Sequence, residues 1–231
     1  MKIINCQVHS ITSLTTNVYK VLLKPDQAVD FIPGQYLNFV MSDEDKRPFS
    51  IASSPNAEFI ELQIGAFGAD SYPMQVIERI RSTDRVTIEI PLGNAQLITA
   101  SDRPLLLMAG GTGFSYIKSM FEYLAEQKST RVITVYWGLR ELSACYELAE
   151  TAAIIAKLPH ANFIPVVETP DEHWQGRTGL VHKAVMDDII SLAPYDIYLA
   201  GRFEMIGLVR TDFVKHGGIL EHMHSDAFAF I

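Results

Sequence analysis

Apolar and polar residues follow two different rhythms along this chain. In the first, over residues 1 to 98, apolar positions alternate in short runs. In FIELQI, Ile60, Leu62 and Ile64 share one face while Glu61 and Gln63 take the other, the period of a half-buried strand. RVTIEIPLG alternates in the same way, and INCQVHSI, NVYKVLLKP and GQYLNFVM are further β-rich runs bounded by polar or proline punctuation. Pro33 and Gly34 form a turn signal ahead of one of them. A helix-like interlude over residues 71 to 80 interrupts the series. Short strands at this spacing predict a small antiparallel β-barrel or sandwich.

In the second rhythm, over residues 99 to 231, continuous apolar runs alternate with helical stretches. RPLLLMAGG, RVITVYWG, ANFIPVVE and YDIYLAG read as strands buried on both faces. Between and after them, helices are expected over residues 114–127, over ELSACYELAETAAIIAKL, near residues 180–190 and over residues 203–215. Alternating strands and helices predict a parallel sheet with helices on both faces, a Rossmann-like α/β domain. The boundary falls in the polar stretch of residues 94 to 103, which has no strong period. No internal repeat or low-complexity segment is present.

Composition narrows the picture. Of 231 residues, 48% are apolar and 20% charged, which suits a folded two-domain chain rather than a disordered one. The net charge of −8 argues against a nucleic-acid binder, which needs a basic face, and against an anionic membrane as partner. MKIINCQVHS has no apolar core of signal-peptide type, and the longest apolar runs fall far short of the roughly 20 residues a membrane helix needs. The two cysteines, Cys6 and Cys145, give neither a disulfide framework nor metal spacing and are too few to hold a four-cysteine iron–sulfur cluster. A reducing cytoplasm is the expected compartment.

The candidate chemistry lies where strands end. AGGTGFSYIKS places Gly110, Gly111, Thr112 and Gly113 between a buried strand and a helix. There the backbone can approach a phosphate and the helix N-terminus supplies free N–H groups. A glycine turn needed only for tight strand–helix packing would look the same. The last glycine of a full dinucleotide fingerprint is Tyr116 here, and no carboxylate closes the second strand where a ribose-binding one is usual. The pattern repeats: YWGLR carries Trp137, Gly138 and Arg140, and AGRFEM carries Gly201, Arg202, Phe203 and Met205. In an open parallel sheet the ligand crevice lies at the carboxyl ends of the strands, so together these ends suit an anionic dinucleotide. In the first half, DKRPFSIASSP is a strand-like segment in which Pro48 cannot donate to a ladder, which predicts a sheet edge or bulge. Ser50 can donate or accept by rotating its hydroxyl, as a flavin N5 requires in its two redox states. Phe49 could cover an aromatic ring system. Arg47 could face a phosphate or the charge on a reduced flavin. A surface arginine beside a core phenylalanine on an edge strand is the plainer alternative. HMH, His222 to His224, lacks a third ligand and is not taken as a metal site. Ser115 lies in no nucleophile elbow.

With GQYL, DKRPFSIASSP, FIELQIGA, AGGTGFSYIKS, YWGLRE, DIYLAGRFEM and DAFAFI in this order, the whole chain resembles the ferredoxin-NADP reductase superfamily. Within it, the chain is most similar to the bacterial NAD(P)H-flavin oxidoreductases, including those associated with luciferase. The resemblance implies a flavin-binding barrel over residues 1–98 and an NAD(P)H-binding domain over residues 99–231. It implies a flavin site at Arg47, Pro48, Phe49, Ser50, Gly65 and Ala66, with Ser50 catalytic near N5. It implies a nicotinamide-nucleotide site at Gly110, Gly111, Thr112, Gly113, Trp137, Gly138, Arg140, Gly201, Arg202, Phe203 and Met205, and residues 228–231 near the flavin face. The implied activity is reduction of riboflavin, FMN or FAD by NADH or NADPH, with a monooxygenase, a luciferase or ferric iron receiving the reduced flavin. A reductase that retains FAD for a protein partner and a non-catalytic nucleotide-sensing module are the alternatives. Three positions depart from the superfamily pattern. Phe49 stands where tyrosine is usual, AFGADSY after Gly65 gives no pyrophosphate-binding motif, and Ala200 stands where cysteine is frequent. The first two point to flavin as a diffusible substrate. Arg140 and Arg202 could meet either a 2′-phosphate or a pyrophosphate, so the nucleotide preference stays open.

Overall fold

The computed structural model describes residues 1–231. Strands β1 (Lys2–Ser13), β2 (Val18–Pro25), β3 (Tyr36–Val40), β4 (Lys46–Ser50), β5 (Ile60–Gly65) and β6 (Arg85–Leu92) form one sheet in the order β4-β3-β6-β1-β2-β5. Every pairing is antiparallel. The two ends of the sheet meet just past β4, where Ala52 N–H donates to Glu61 O at 2.8 Å and Glu61 N–H to Ser53 Oγ at 3.0 Å. The alternation read from the sequence is realised: Leu62 and Ile64 are fully buried, with Val21, Leu23, Leu37, Phe39 and Ile88. Helix α1 (Tyr72–Arg81) packs Val76, Ile77 and Ile80 against this core. Ser71 starts it by accepting from Met74 N–H, and Pro73 sits in the first turn, where its missing N–H has no partner to lose.

The second sheet is wholly parallel. It contains β7 (Leu105–Gly110), β8 (Ile133–Leu139), β9 (Ala161–Val167), β10 (Arg177–Thr178), β11 (Asp196–Ala200) and β12 (Met223–His224), in the order β10-β9-β8-β7-β11-β12. Leu105, Leu107 and Ala109 of β7 pack with helix α2 (Phe114–Glu126) and with Ile155 of α3 (Leu148–Ile155). Leu106 and Met108 pack on the opposite side with α4 (Val181–Asp188) and α5 (Phe203–Lys215). Both faces of β7 are covered, which is why its sequence is apolar without alternation. The order reverses at β7, so the crevice opens between the carboxyl ends of β7, β8 and β11.

Two features differ from the sequence reading. ELSACYELAETAAIIAKL is not one helix: Leu142–Ala144 forms a single 3-10 turn, Glu147 adopts a left-handed backbone (φ 51°), and α3 begins only at Leu148. Tertiary contacts break it. Tyr146 is buried edge-on against Trp137, with ring centres 4.8 Å apart, and Glu147 reaches across to the barrel to pair with Lys20 and to accept from Gln63 Nε2 at 2.8 Å. β10 and β12, two residues each, are too short for any periodic pattern to show.

The two sheets are joined along α2. Lys118 Nζ lies 3.1 Å from both Glu61 carboxylate oxygens on β5 and 2.7 Å from Glu122 Oε1. Ser119 Oγ donates to Ser53 O at 2.7 Å, Ser54 N–H to Glu122 Oε2 at 3.1 Å, and Tyr116 OH to Ala95 O at 2.5 Å. Carboxylates outnumber cations here. Burial pushes the Glu122 carboxyl above its ordinary range, Glu61 adds to the effect, and Lys118 opposes it. A carboxyl raised in the folded state favours folding at low pH, and that contribution is lost as pH rises through the raised value. Glu122→Gln is therefore expected to gain stability relative to the parent between about pH 4 and about pH 8. Urea unfolding at both pH values measures this, and a gap that does not widen contradicts it. Lys118→Met leaves Glu61 and Glu122 buried without their cation and is expected to cost about 3–5 kcal/mol.

Candidate active site

A cavity of about 930 Å³ lies between the two sheets. β4 and β5 form its barrel wall, the carboxyl ends of β7, β8 and β11 face it, and Ser225, Asp226 and Ala227 close one end.

On the barrel wall, β4 is the terminal strand of its sheet, so Pro48, opposite Asn38, needs no outer partner. Pro48, Phe49 and Ser50 line the cavity, with Gln63 and Gly65 of β5. Ser50 stands opposite Tyr36 at the end of β4, and its hydroxyl makes no hydrogen bond within the protein. Ala66 is fully buried in the barrel core and does not reach the cavity.

Arg47 does not face the cavity either. It shares a face of β4 with Phe49, whose ring packs against the barrel core and reaches the cavity from the strand's end, whereas Arg47 is buried under α1. Its Nε and Nη2 donate to Asp45 Oδ1 and Oδ2 at 2.9 and 2.6 Å, Nη2 also donates to Gln75 Oε1 at 2.8 Å, and Nη1 donates to Tyr72 O at 2.6 Å. The Tyr72 ring covers the guanidinium at 4.1 Å. Hydrogen bonding to Arg47 holds the Asp45 carboxyl below its ordinary range. A guanidinium held in this way has little left to offer a ligand phosphate.

The facing wall is backbone. Gly110, Gly111, Thr112 and Gly113 line it. Gly111 has φ +55°, and a Cβ on Gly113 would lie 2.7 Å from the Ala200 carbonyl carbon, a contact with main chain that cannot give way. Trp137 supports this loop from beneath and is itself fully buried. It stacks on Phe114 with ring centres 4.0 Å apart, and its Nε1 donates to Gly111 O at 2.9 Å. Gly138, Arg140, Gly201, Arg202, Phe203 and Met205 line the rest of this wall. Of the C-terminal segment, only Ser225, Asp226 and Ala227 reach the cavity. Phe228 packs against Arg210, and Phe230 stacks on Phe203 at 5.2 Å. His222 Nδ1 lies 3.1 Å from Asp196 Oδ1, while His224 stacks on Tyr198.

Two buried polar atoms on the cavity lining make no hydrogen bond: Ser115 Oγ, in the first turn of α2, and His182 Nε2, in the first turn of α4, which lies 3.5 Å from Asp212 Oδ2. With the free N–H groups of α2, they suit a phosphate-bearing nucleotide. Burial lowers the His182 pKa, with Lys183 adding to the effect. Burial pushes the Asp226 carboxyl up, against a pull from the Ala95 and Asn94 N–H groups. Sequence reasoning missed Gln63, Ser115, Glu141, Glu168, His182 and Asp226 as cavity residues. Glu168 had a signal, since it follows a buried strand directly. Asp226 reaches the cleft only through the path of the C-terminal chain.

This fold and site define a two-domain, nucleotide-dependent oxidoreductase. Residues 107–211 match the family model for an oxidoreductase NAD-binding domain. The chain is 45% identical over 235 residues to an NAD(P)H-flavin reductase of Vibrio harveyi and, over the same span, to one of Aliivibrio fischeri; each alignment covers 99% of both chains. Among solved structures, the ferredoxin reductase of carbazole 1,9a-dioxygenase superposes with a TM-score of 0.85 at 23% identity, over 98% of this chain and 69% of that one. The flavohem-like FAD/NAD binding domain of nitric oxide dioxygenase from Vibrio cholerae O1 biovar El Tor gives 0.83 at 18% identity, over 95% and 96%. The chain belongs to the bacterial NAD(P)H-flavin reductases. No helix is long and apolar enough to cross a membrane.

Gly113→Ala tests the glycine wall. Its Cβ can be accommodated only by moving β11 or the loop, at about 1–3 kcal/mol. A lowered melting temperature and weakened NADH binding by fluorescence titration are expected; parental values for both contradict the assignment.

Proposed function

We propose that the protein transfers hydride from NADH or NADPH to a free flavin, riboflavin, FMN or FAD, which enters and leaves the cleft as a substrate. The observation that carries this reading is Arg47. The arginine that would anchor a flavin phosphate is turned away from the cavity and held by Asp45, Gln75 and Tyr72. Phe49 adds no hydroxyl, and the lining between Gly65 and Gly110 holds Phe67 but no cation. The barrel wall can then grip the ring system and little else, so the phosphate and adenylate parts of a larger flavin contribute little affinity.

Ser50 is the one residue of β4 with an uncommitted hydroxyl on the cavity wall. It can donate to an oxidised flavin N5 and accept from the reduced N–H without moving. The nicotinamide lies between this wall and the glycine loop, and the protein's contribution is mainly positioning, because the two substrates carry the redox chemistry. Reduced flavin is then released to a flavin-dependent monooxygenase, a luciferase or ferric iron.

Three measurements test this. The purified protein should lose its yellow colour on gel filtration; retained stoichiometric FAD would instead mark a reductase that keeps its flavin. Riboflavin, FMN and FAD should have KM values within a few-fold of one another. Ser50→Ala should lower kcat by about 100-fold or more with little change in NAD(P)H affinity, and an unchanged rate removes Ser50 from the reaction.

A further inference from the structure

The cleft has a direction. Phe49 and Ser50 fix the barrel end as the place where two rings must meet, and the glycine loop with the α2 N-terminus occupies the middle. A dinucleotide whose nicotinamide reaches Ser50 and whose pyrophosphate rests on that loop must extend its adenosine to the remaining end, at the carboxyl ends of β8 and β9. These strands are in register, Leu139 beside Val167. Residues 140, 141 and 168 therefore leave the sheet side by side, and all three line the cavity. Their main chain is pinned. Glu168 N–H donates to Leu139 O at 2.8 Å, and Thr169 donates to Arg140 O through both its N–H, at 2.8 Å, and its Oγ1, at 2.6 Å.

Charge at this end is lopsided. Arg140 forms no ion pair, so one guanidinium is free. Arg177 is paired with Asp188, and Lys183 is paired with Asp212 at 2.7 Å. Neither Glu141 nor Glu168 pairs with a cation; Glu141 Oε1 accepts only from Ser143 Oγ, at 2.7 Å. A ribose 2′,3′-diol brings hydroxyl donors that a carboxylate accepts. A 2′-phosphate brings a charge of about −1.5 to −2, against two carboxylates and a single arginine. The ribose-binding carboxylate that is absent after the second strand of this domain stands instead after the third, at Glu168.

We infer that Glu168, assisted by Glu141, makes the adenosine end of the cleft selective for an unphosphorylated ribose, so that NADH is the preferred hydride donor over NADPH. The inference rests on the reading of the cavity as a dinucleotide and flavin site. Direct binding separates the two. NADH and NADPH are titrated against the flavin-free protein by nicotinamide fluorescence, with 5′-AMP and 2′,5′-ADP as competitors, and kcat/KM is measured with riboflavin. NADH is expected to bind, and to react by kcat/KM, at least about tenfold better than NADPH, with 5′-AMP competing better than 2′,5′-ADP. In Glu168→Gln, NADH should weaken as NADPH improves, and in Glu141→Gln/Glu168→Gln the preference should fall to within about threefold or reverse. Equal or better binding of NADPH by the parent protein, or a preference unchanged in the double variant, overturns the inference while leaving the flavin-reductase reading intact. If neither NADH nor NADPH binds, both readings are overturned.

Discussion

Helix α2 is the element on which the site depends, because it is buried against both halves of the molecule. Phe114, Ile117 and Phe121 face the parallel sheet, while Lys118, Ser119 and Glu122 face the barrel through hydrogen bonds and ion pairs. A helix held on two sides cannot slide relative to either. Its N-terminus, which presents the glycine loop, is thereby fixed against β5, where a Cβ on Gly65 would lie 3.0 Å from Thr112 Cγ2, closer than an ordinary van der Waals contact. The cleft between the two domains is set by this docking rather than by the linker, which is itself tied down by Tyr116 OH at Ala95 O and by Ile98 N–H on Tyr198 OH.

The two walls use different physics. The nucleotide wall is main chain: glycines, helix N–H groups and strand ends, where no side chain intervenes and a phosphate can come close. Large aromatic groups below it, Trp137 and Phe114, make this exposed backbone rigid. The barrel wall is side chain, a half-buried phenylalanine and a serine hydroxyl at the end of an edge strand. An edge strand suits this purpose because its proline removes no ladder hydrogen bond, and because at its end Phe49, packed against the barrel core, and Ser50, on the opposite face, both reach the cavity. Alternation along β4 puts Ser50 and Arg47 on opposite faces only if the strand keeps its pleat through Pro48, and it does.

Arg47 shows how a motif can keep its residues while their roles change. Arginine, proline and serine stand in the order that the sequence resemblance reads as flavin-binding, but the arginine bridges β4 to α1. Its partners come from the turn before β4 (Asp45) and from α1 (Tyr72 and Gln75), and each would lose a hydrogen bond if it turned to a ligand. In this chain Arg47 braces α1, and Pro48, Phe49 and Ser50 are what β4 presents to the cavity.

Much of the architecture is present in the sequence itself. The period of two in FIELQI and RVTIEIPLG defines strands with one apolar and one polar face, and the unbroken run LLLMAG defines a strand covered on both by apolar packing; that the polar face of β5 is itself covered, by Lys118 and Glu147, is a tertiary result. The glycines at successive strand ends mark the crevice, because only a packed parallel sheet places those ends in one row. These signals are local, so one sequence suffices to read them. What the sequence could not decide depends on which surfaces meet. The break before α3 arises because Tyr146 and Glu147 find partners more than eighty residues away in Gln63 and Lys20. The orientation of Arg47 follows from a helix that packs beside it. Glu168, Ser115, His182 and Asp226 become one cavity only when β9, α2, α4 and the C-terminal chain are brought together. Local patterns determine which elements form. Burial and charge pairing between distant elements, which no local pattern encodes, determine which side chains face the cleft.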